Sequence, residues 1–346
     1  MSNYLPNIKI ITSSLFFIFI LLITLTCVVY YFLHTTSVER QCKGMANKYN
    51  NSISISSLKS HPGHGKYKLI DFYINSASNC AAVSPTSVNT CAIKTCLSQG
   101  VRLLDFQVQN MNNRAVVTLS SGDNTFEKAS VNHIPLKQVL KTINKHAFNS
   151  TSPNANDPLI LHIRIMTNNR DVVDEIASNI NRYINSNRLL TSEYSYGTSN
   201  KNVILEPINK LFGKVIIFVN DKYLNIKDTS LYEFANGVSH NSSNIRVIRQ
   251  QGIIDGNSEE MVDYHTRGFG IVVPDGQNSN LDTKLSFSSG AQSVCMNFNK
   301  KDKHLDEYLS IFTNQGRGFV LKPDSQRVFD KDKDSQDASY FNFEIY

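Results

Sequence analysis

Short apolar runs that alternate with helical patterns constrain the fold of this chain more than any other feature. Runs with strand character lie at 69–74, 103–108, 115–119, 159–165, 215–219, 245–248, 270–273 and 294–298. Between them, 134–146 and 172–184 have apolar residues at helical spacing, and 307–312 has a shorter helical pattern. This alternation is typical of βα units around a mostly parallel sheet, and eight candidate strands predict a closed α/β barrel.

The N-terminal region contains one long apolar stretch. Residues 10–33 include no charged side chain, and at about 1.5 Å per helical residue they are long enough to cross a bilayer core of about 30 Å. We therefore predict a short tail at 1–9 and one transmembrane helix at 10–33. The alternative is a cleaved signal peptide, but such segments have shorter apolar cores and a small-residue cleavage site. Tyr30, Tyr31 and Phe32 instead fit the aromatic belt of a membrane interface.

A basic segment follows the apolar stretch. Between 34 and 68 the only acidic residue is Glu39, and the basic residues are Arg40, Lys43, Lys48, Lys59, Lys66 and Lys68. We predict a polar stalk at 34–68 that is attracted to anionic lipid head groups. The alternative is a solvated stalk without a ligand. Nucleic acid is not expected as a partner, because no other basic stretch of the chain is interleaved with aromatic residues.

Two features disagree on the side of the membrane that holds the C-terminal region. Lys9 is the only basic residue before the apolar stretch, whereas several follow it closely, and this favours a cytoplasmic C-terminal region. Three glycosylation sequons, at Asn50, Asn149 and Asn241, favour the opposite side. The six cysteines lack metal-ligand spacing and are too few for a disulfide scaffold, so both orientations stay open.

Four segments of the first half resemble the X box of eukaryotic-type phosphoinositide-specific phospholipase C. Residues 72–79, Phe-Tyr-Ile-Asn-Ser-Ala-Ser-Asn, are similar to the family's first strand, which ends in serines followed by His-Asn. Residues 100–107, Gly-Val-Arg-Leu-Leu-Asp-Phe-Gln, resemble the strand with two acidic metal ligands. Residues 157–164, Asp-Pro-Leu-Ile-Leu-His-Ile-Arg, resemble the strand that normally ends in glutamate, and 213–217 resembles the strand that closes this half.

Two further segments resemble the Y box of the same family. Residues 287–298 are similar to its Trp-Asn-x-Gly-x-Gln signature, and 316–323 to its Gly-Tyr-Val-Leu-Lys-Pro ending. The resemblance implies a distorted TIM-type (β/α)8 barrel with its site at the C-terminal strand ends. It also implies the boundaries, which are an X half at 69–222, a short join at 223–230, a Y half at 231–327 and a C-terminal tail at 328–346.

The residues that carry catalysis in this family are replaced here. The family uses two histidines, one that stabilises charge on the phosphate and one that assists protonation of the leaving group. The first histidine position holds Ser78, and the second falls at Leu119 or Ser120. No histidine lies between Asp105 and Asn132, so a small shift in alignment does not restore the acid. A serine neither carries a positive charge nor exchanges a proton near neutral pH, which predicts a degenerate catalytic site.

The calcium ligands that the resemblance implies are also incomplete. Asn79 and Asp105 are retained, but Gln107 stands at the position of a second carboxylate and Arg164 at the position of a glutamate. Calcium requires six to eight oxygen ligands, several of them anionic, and a permanently charged guanidinium opposes it. We predict that Arg164 replaces the metal and pairs with Asp105. The alternative is that Arg164 points to solvent.

The positions at which the family binds phosphate also differ in this chain. Two expected lysines fall on Phe218 and Asn220, and an expected arginine falls on Ile311. Ser279 matches a serine that binds the head group. The predicted vestigial pocket therefore consists of Asn79, Asp105, Gln107, Arg164 and Ser279.

Two functional hypotheses follow. The first is a membrane-anchored barrel without hydrolytic activity, without a cofactor, and with a role as a binding or structural module for lipid or a partner protein. The second is an active phosphodiesterase or lipase with a rebuilt site, for which Ca²⁺ remains a candidate cofactor and His162 or His133 a candidate proton carrier. His162 lies two residues before Arg164 and therefore on the same face of its strand.

Overall fold

The computed structural model describes residues 5–50, 53–120, 126–198, 201–276, 280 and 282–327, with the backbone alone for 5–14, 34–36 and 62. Ser279 and the predicted tail at 328–346 lie outside the described residues. The chain divides into two units, Met1–Gly44 and Met45–Tyr346.

The described residues of the first unit are helical. Helix α1 (Leu5–Lys48) includes the whole predicted span at 10–33 and begins five residues before it. The helix is long and apolar enough to cross a membrane, and its large apolar side chains between Leu15 and Leu33 are exposed. A water-exposed apolar surface of this kind costs about 25 cal/mol for each Å², a cost that lipid removes.

The second unit is an α/β barrel. Its strands are β1 (Phe72–Ala77), β2 (Ala82–Ser84), β3 (Ser87–Val88), β4 (Leu103–Met111), β5 (Arg114–Thr118), β6 (Ile134–Pro135), β7 (Leu159–Met166), β8 (Val215–Asn220), β9 (Gly237–Val238), β10 (Ile245–Arg249), β11 (Phe269–Val273), β12 (Ser293–Met296) and β13 (Phe319–Leu321). Its helices are α2 (Thr90–Ser98), α3 (Leu136–His146), α4 (Arg170–Tyr183), α5 (Leu231–Phe234), α6 (Gln250–Asp255), α7 (Ser258–Arg267), α8 (Lys284–Ser288) and α9 (Lys303–Gln315).

Eight strands form a parallel path in the order β10-β11-β12-β1-β4-β7-β8-β9. In the part of the chain that the structure describes, β9 and β10 are not paired with each other, so the barrel is nearly closed. The prediction of a distorted eight-stranded parallel barrel is confirmed. Strand β13 pairs antiparallel with β1, and β5 and β6 extend the sheet antiparallel from β4.

One predicted barrel strand was assigned wrongly. The run at 115–119 is β5, an antiparallel partner of β4 on the outside of the parallel path. The eighth strand of the barrel is instead β9, which has only two residues and pairs with β8 through Phe218 and Val219. A two-residue strand is too short to produce an apolar period in the sequence, so the pattern did not reveal it.

Polar caps fix the ends of several helices. The side chain of Asn89 accepts a hydrogen bond from the backbone at the start of α2, and Asn169 and Asp302 do the same for α4 and α9. Helix α9 ends at Gly316, whose φ of +65° lies in the left-handed region that glycine adopts without strain. These caps explain why the helices begin and end where they do.

Part of the segment predicted as a basic polar stalk at 34–68 is helical or buried in the structure. Helix α1 continues to Lys48, and Met45, Tyr49, Ile55 and Leu58 are buried in the second unit. The Tyr49 hydroxyl donates a hydrogen bond of 2.7 Å to the Phe298 carbonyl oxygen. The apolar residues of this segment are separated by basic and small polar residues without a regular period, and for this reason the local pattern was typical of a stalk.

Candidate functional site

The polar side chains of the barrel interior lie towards the C-terminal ends of the parallel strands. Deep in the barrel, Leu103 and Ile160 belong to the apolar core. Two residues further along each strand, Asp105 of β4 lies beside His162 of β7 in the strand register. After two more residues, Gln107 lies beside Arg164. Because alternate residues of a strand share one face, an apolar layer is followed by polar layers towards the barrel mouth.

Arg164 forms a buried ion pair with Asp105. Its Nε donates to Asp105 Oδ1 at 2.9 Å, and its Nη2 donates to Asp105 Oδ2 at 2.7 Å. The same Nη2 donates to Asn79 Oδ1 at 2.9 Å. Arg164 is 7% exposed and Asp105 is fully buried. The predicted pairing is therefore present, and the alternative in which Arg164 points to solvent is wrong.

The backbone at Asn79 also contributes to this pair. Asn79 has a φ of +42°, in the left-handed region that asparagine tolerates better than most residues. Its backbone N–H donates to Asp105 Oδ2 at 3.1 Å. The turn after β1 thus supplies both a donor to the carboxylate and an acceptor to the guanidinium.

The charge balance favours the ionised form of Asp105. Burial by itself raises the pKa of this carboxyl group, because an anion is poorly solvated inside a protein. The guanidinium of Arg164, followed by the His162 ring, more than offsets burial, so the pKa of Asp105 lies well below its ordinary value. Asp105 is therefore an anion at any physiological pH.

His162 links this ion pair to the residue after β9, the strand at one end of the parallel path. Its Nδ1 lies 2.8 Å from Asp105 Oδ1, and its Nε2 lies 3.0 Å from Ser239 Oγ. Ser239 directly follows β9, and both Ser239 and His162 are fully buried. Sequence reasoning missed Ser239, because it belongs to no motif and follows a strand of two residues. The serine, histidine and aspartate form a chain of hydrogen bonds, but none of them is exposed to solvent.

The remaining predicted positions, as far as the structure describes them, form contacts within the protein around this network. Gln107 Oε1 accepts a hydrogen bond of 2.7 Å from the Ser120 backbone N–H, so its amide oxygen is used within the protein. Leu119 and Ser120 are buried at the end of β5. Ser78 is also buried, and its backbone N–H donates to the Met296 carbonyl oxygen. The contacts described for these positions are packing and backbone contacts.

The donor set does not fit calcium. Both carboxylate oxygens of Asp105 and the amide oxygen of Asn79 accept hydrogen bonds from Arg164. A cation at this position would lie against a permanent positive charge and would need several more oxygens. Within the described residues, no group of three or more His, Cys, Asp or Glu side chains is arranged to hold a metal ion.

Among the described residues, a cavity of about 20 Å³ lies at the barrel mouth beside Arg164, and it is lined by Arg164, Met166, Asn220, Lys222, Tyr223, Val247 and Val273. This volume holds roughly one water molecule, not an inositol ring. The Tyr223 ring packs edge-on against Phe126, with 4.8 Å between the ring centroids, at the rim of the mouth.

Comparisons with known proteins agree with this architecture. The family model described as "Phosphatidylinositol-specific phospholipase C, X domain" matches residues 66–221. The corresponding Y domain model matches residues 217–325. Together the two models cover most of the second unit.

Individual relatives share the fold over only part of their length. The structures of PLC21 from L. pealei and S. officinalis have TM-scores of 0.64 and 0.63 at 18% identity, covering 77% of this chain and 38% of each of theirs. The human protein "1-phosphatidylinositol 4,5-bisphosphate phosphodiesterase gamma-2" is 33% identical over 86 residues, which are 24% of this chain and 6% of that protein. The chain thus spans less than half the length of these relatives.

Proposed function

The chain belongs to the eukaryotic-type phosphatidylinositol-specific phospholipase C family, and we propose that it is a membrane-anchored member without phosphodiester hydrolysis. In this proposal the barrel serves as a binding or structural module at a membrane and takes no calcium ion. Its partners are anionic membrane lipids near the basic segment that follows the anchor.

The observation that carries the proposal is the hydrogen-bonded contact of Arg164 with Asp105 and Asn79. In this family the metal lowers the pKa of the attacking hydroxyl group. A guanidinium at the metal's place has no open coordination position for a substrate oxygen. The replacement of one catalytic histidine by Ser78, and the lack of any histidine between Asp105 and Asn132, remove proton transfer independently.

A hydrolysis assay tests this proposal directly. The full chain in detergent micelles is incubated with phosphatidylinositol and phosphatidylinositol 4,5-bisphosphate, with Ca²⁺ or with a chelator. We expect no release of inositol phosphates above the protein-free control and no Ca²⁺-dependent rise in the thermal midpoint, which a bound ligand would raise by mass action. Release of inositol phosphates that requires Ca²⁺ would refute the proposal.

A rebuilt active site is the second candidate, favoured by the alignment of Ser239, His162 and Asp105. A serine activated by histidine and oriented by aspartate is a known arrangement for acyl transfer. Two facts speak against it: Ser239 has no exposed surface, and Asp105 is already paired with Arg164. The same assay tests this candidate when other phosphodiesters and esters are added as substrates. The wild type is then compared with His162→Ala. Turnover that disappears in His162→Ala would establish it.

Membrane anchoring through α1 and a cytoplasmic barrel complete the proposal. The basic residues at 40, 43 and 48 outnumber Lys9 and favour this orientation. The sequons at Asn149 and Asn241 are exposed on the barrel and act as natural reporters of its location. We expect the protein to fractionate with membranes and its electrophoretic mobility to be unchanged by a glycosidase. A glycosidase-sensitive shift that disappears in Asn149→Gln or Asn241→Gln would reverse the orientation.

A further inference from the structure

A second cluster of basic side chains lies outside the barrel mouth. It forms where the segment after α1 meets the end of the Y half, through a bridge between Ser56 and Arg317. The guanidinium of Arg317 lies against two imidazole rings, with Nη2 at 3.4 Å from His61 Nδ1 and Nη1 at 3.3 Å from His64 Nδ1. Three side chains that can carry positive charge therefore converge on one place.

Further cations border the same cluster. The Tyr67 ring lies 6.3 Å from the His64 ring, centroid to centroid. Lys66 Nζ lies 5.5 Å from the Tyr67 ring centroid, and Arg327 Cζ lies 4.9 Å from it. Lys66 is exposed, so its ammonium group is available to a ligand from solvent. Arg327 already pairs with Asp324.

The charge of Arg317 is not matched by a carboxylate. Among the described residues Arg317 forms no ion pair, and its buried Nε has no hydrogen-bond partner. An arginine is always protonated, so the imidazole nitrogens that face it accept hydrogen bonds only in their neutral form. Burial and then Arg317 lower the pKa of His64, in agreement with this geometry. Guanidinium groups in such half-buried positions ordinarily have an anionic partner.

We propose that Arg317, His61, His64 and Lys66 form a binding site for a phosphate group. A planar guanidinium binds phosphate through two parallel hydrogen bonds, and the lysine ammonium adds a second charge. The phosphate belongs either to an anionic lipid head group or to a soluble phosphate. The first source rests on the proposed membrane anchoring, because the segment directly follows α1 in the sequence. The second source does not depend on it, and neither depends on the loss of hydrolysis.

Thermal unfolding of the full chain in an uncharged detergent tests the site. Sodium phosphate is compared with sodium chloride at equal ionic strength. We expect phosphate to raise the thermal midpoint of the wild type by mass action. Arg317→Gln should weaken the apparent phosphate affinity about tenfold or more, because a charge-assisted bidentate contact is lost. Lys66→Gln changes an exposed side chain that the fold does not need, and should weaken the affinity roughly threefold.

A second set of unfolding experiments, in lipid nanodiscs, identifies the source of the phosphate. The full chain is placed in nanodiscs of phosphatidylcholine with or without phosphatidylserine. If head groups bind, phosphatidylserine raises the wild-type midpoint and added phosphate has no further effect. If soluble phosphate binds, phosphate raises the midpoint equally in both nanodiscs. Arg182→Gln, an exposed substitution on α4 with the same change in charge, should behave as wild type throughout.

Two results would overturn the proposal. One is that neither phosphate nor phosphatidylserine stabilises the wild type. The other is that wild type, Lys66→Gln and Arg317→Gln respond alike, which would mean that the cluster only holds the segment at 56–64 against the barrel. The hydrolysis assay described above is independent of both results, so failure of this site and failure of the proposed function are distinguishable.

Discussion

The Arg164→Met substitution tests the central ion pair, because it removes the guanidinium charge and keeps most of the side-chain volume. Asp105 would stay fully buried with hydrogen bonds from His162 and from the Asn79 backbone, but without either of its contacts to Arg164. Removal of one partner from a buried ion pair costs about 3–5 kcal/mol, since the remaining charge has no counter-ion. We expect the free energy of unfolding to fall by about this amount.

The measurement is urea unfolding of the full chain in detergent, followed by near-ultraviolet circular dichroism of its 15 tyrosines. The matched control is Arg114→Met. Arg114 forms an ion pair with Glu175, with 2.9 Å between Nε and Oε1, but its side chain is 63% exposed. An exposed pair contributes roughly 0–1 kcal/mol, so the control should remain close to wild type.

A double variant separates the destabilising effect of an unpaired buried charge from the effect of lost side-chain packing. In Asp105→Asn with Arg164→Met both charges are absent, and replacement of a buried ion pair by uncharged groups is often nearly neutral. We expect the double variant to recover most of the stability that Arg164→Met loses. If Arg164→Met destabilises the chain no more than Arg114→Met does, the argument that this ion pair organises the barrel mouth is refuted.

Three further outcomes are expected. Ser239→Ala leaves His162 Nε2 without its hydroxyl partner and should lower the free energy of unfolding by about 1–3 kcal/mol, whereas unchanged urea unfolding would show that this contact is dispensable. Burial raises the pKa of Asp157 from 3.8 to about 6, so the folded chain favours the protonated acid, and this stabilisation is complete below pH 3.8 and lost as the pH rises through about 6. The thermal midpoint should fall over this interval in the wild type but less in Asp157→Asn, and parallel pH profiles would contradict this assignment. Arg164→Glu restores the carboxylate expected in the family, so Ca²⁺ should raise its thermal midpoint and not that of the wild type; a variant insensitive to Ca²⁺ would show that Asn79 and Asp105 are no longer competent ligands.

Much of the fold could be predicted because strands buried on both faces leave a clear local pattern. The runs at 159–165 and 215–219 are buried throughout and apolar except at His162 and Arg164, as expected for parallel strands covered on both sides. The sequence also predicts a site without a proton carrier at position 78, since a serine there lacks a titratable proton near neutral pH in any fold. The pairing of Arg164 with Asp105 followed from the resemblance, which placed a guanidinium at the position of a metal ligand close to this retained carboxylate.

The sequence by itself thus determined the βα alternation and the long apolar helix, and it predicts that the catalytic side chains of the family are replaced. Only the tertiary structure decided that β9 rather than β5 completes the barrel, and that Ser239 contacts His162 from 77 residues away. It also decided that the basic segment after α1 packs on the barrel. Local patterns report how each residue favours helix, strand or burial, whereas contacts between distant segments depend on how the whole barrel closes.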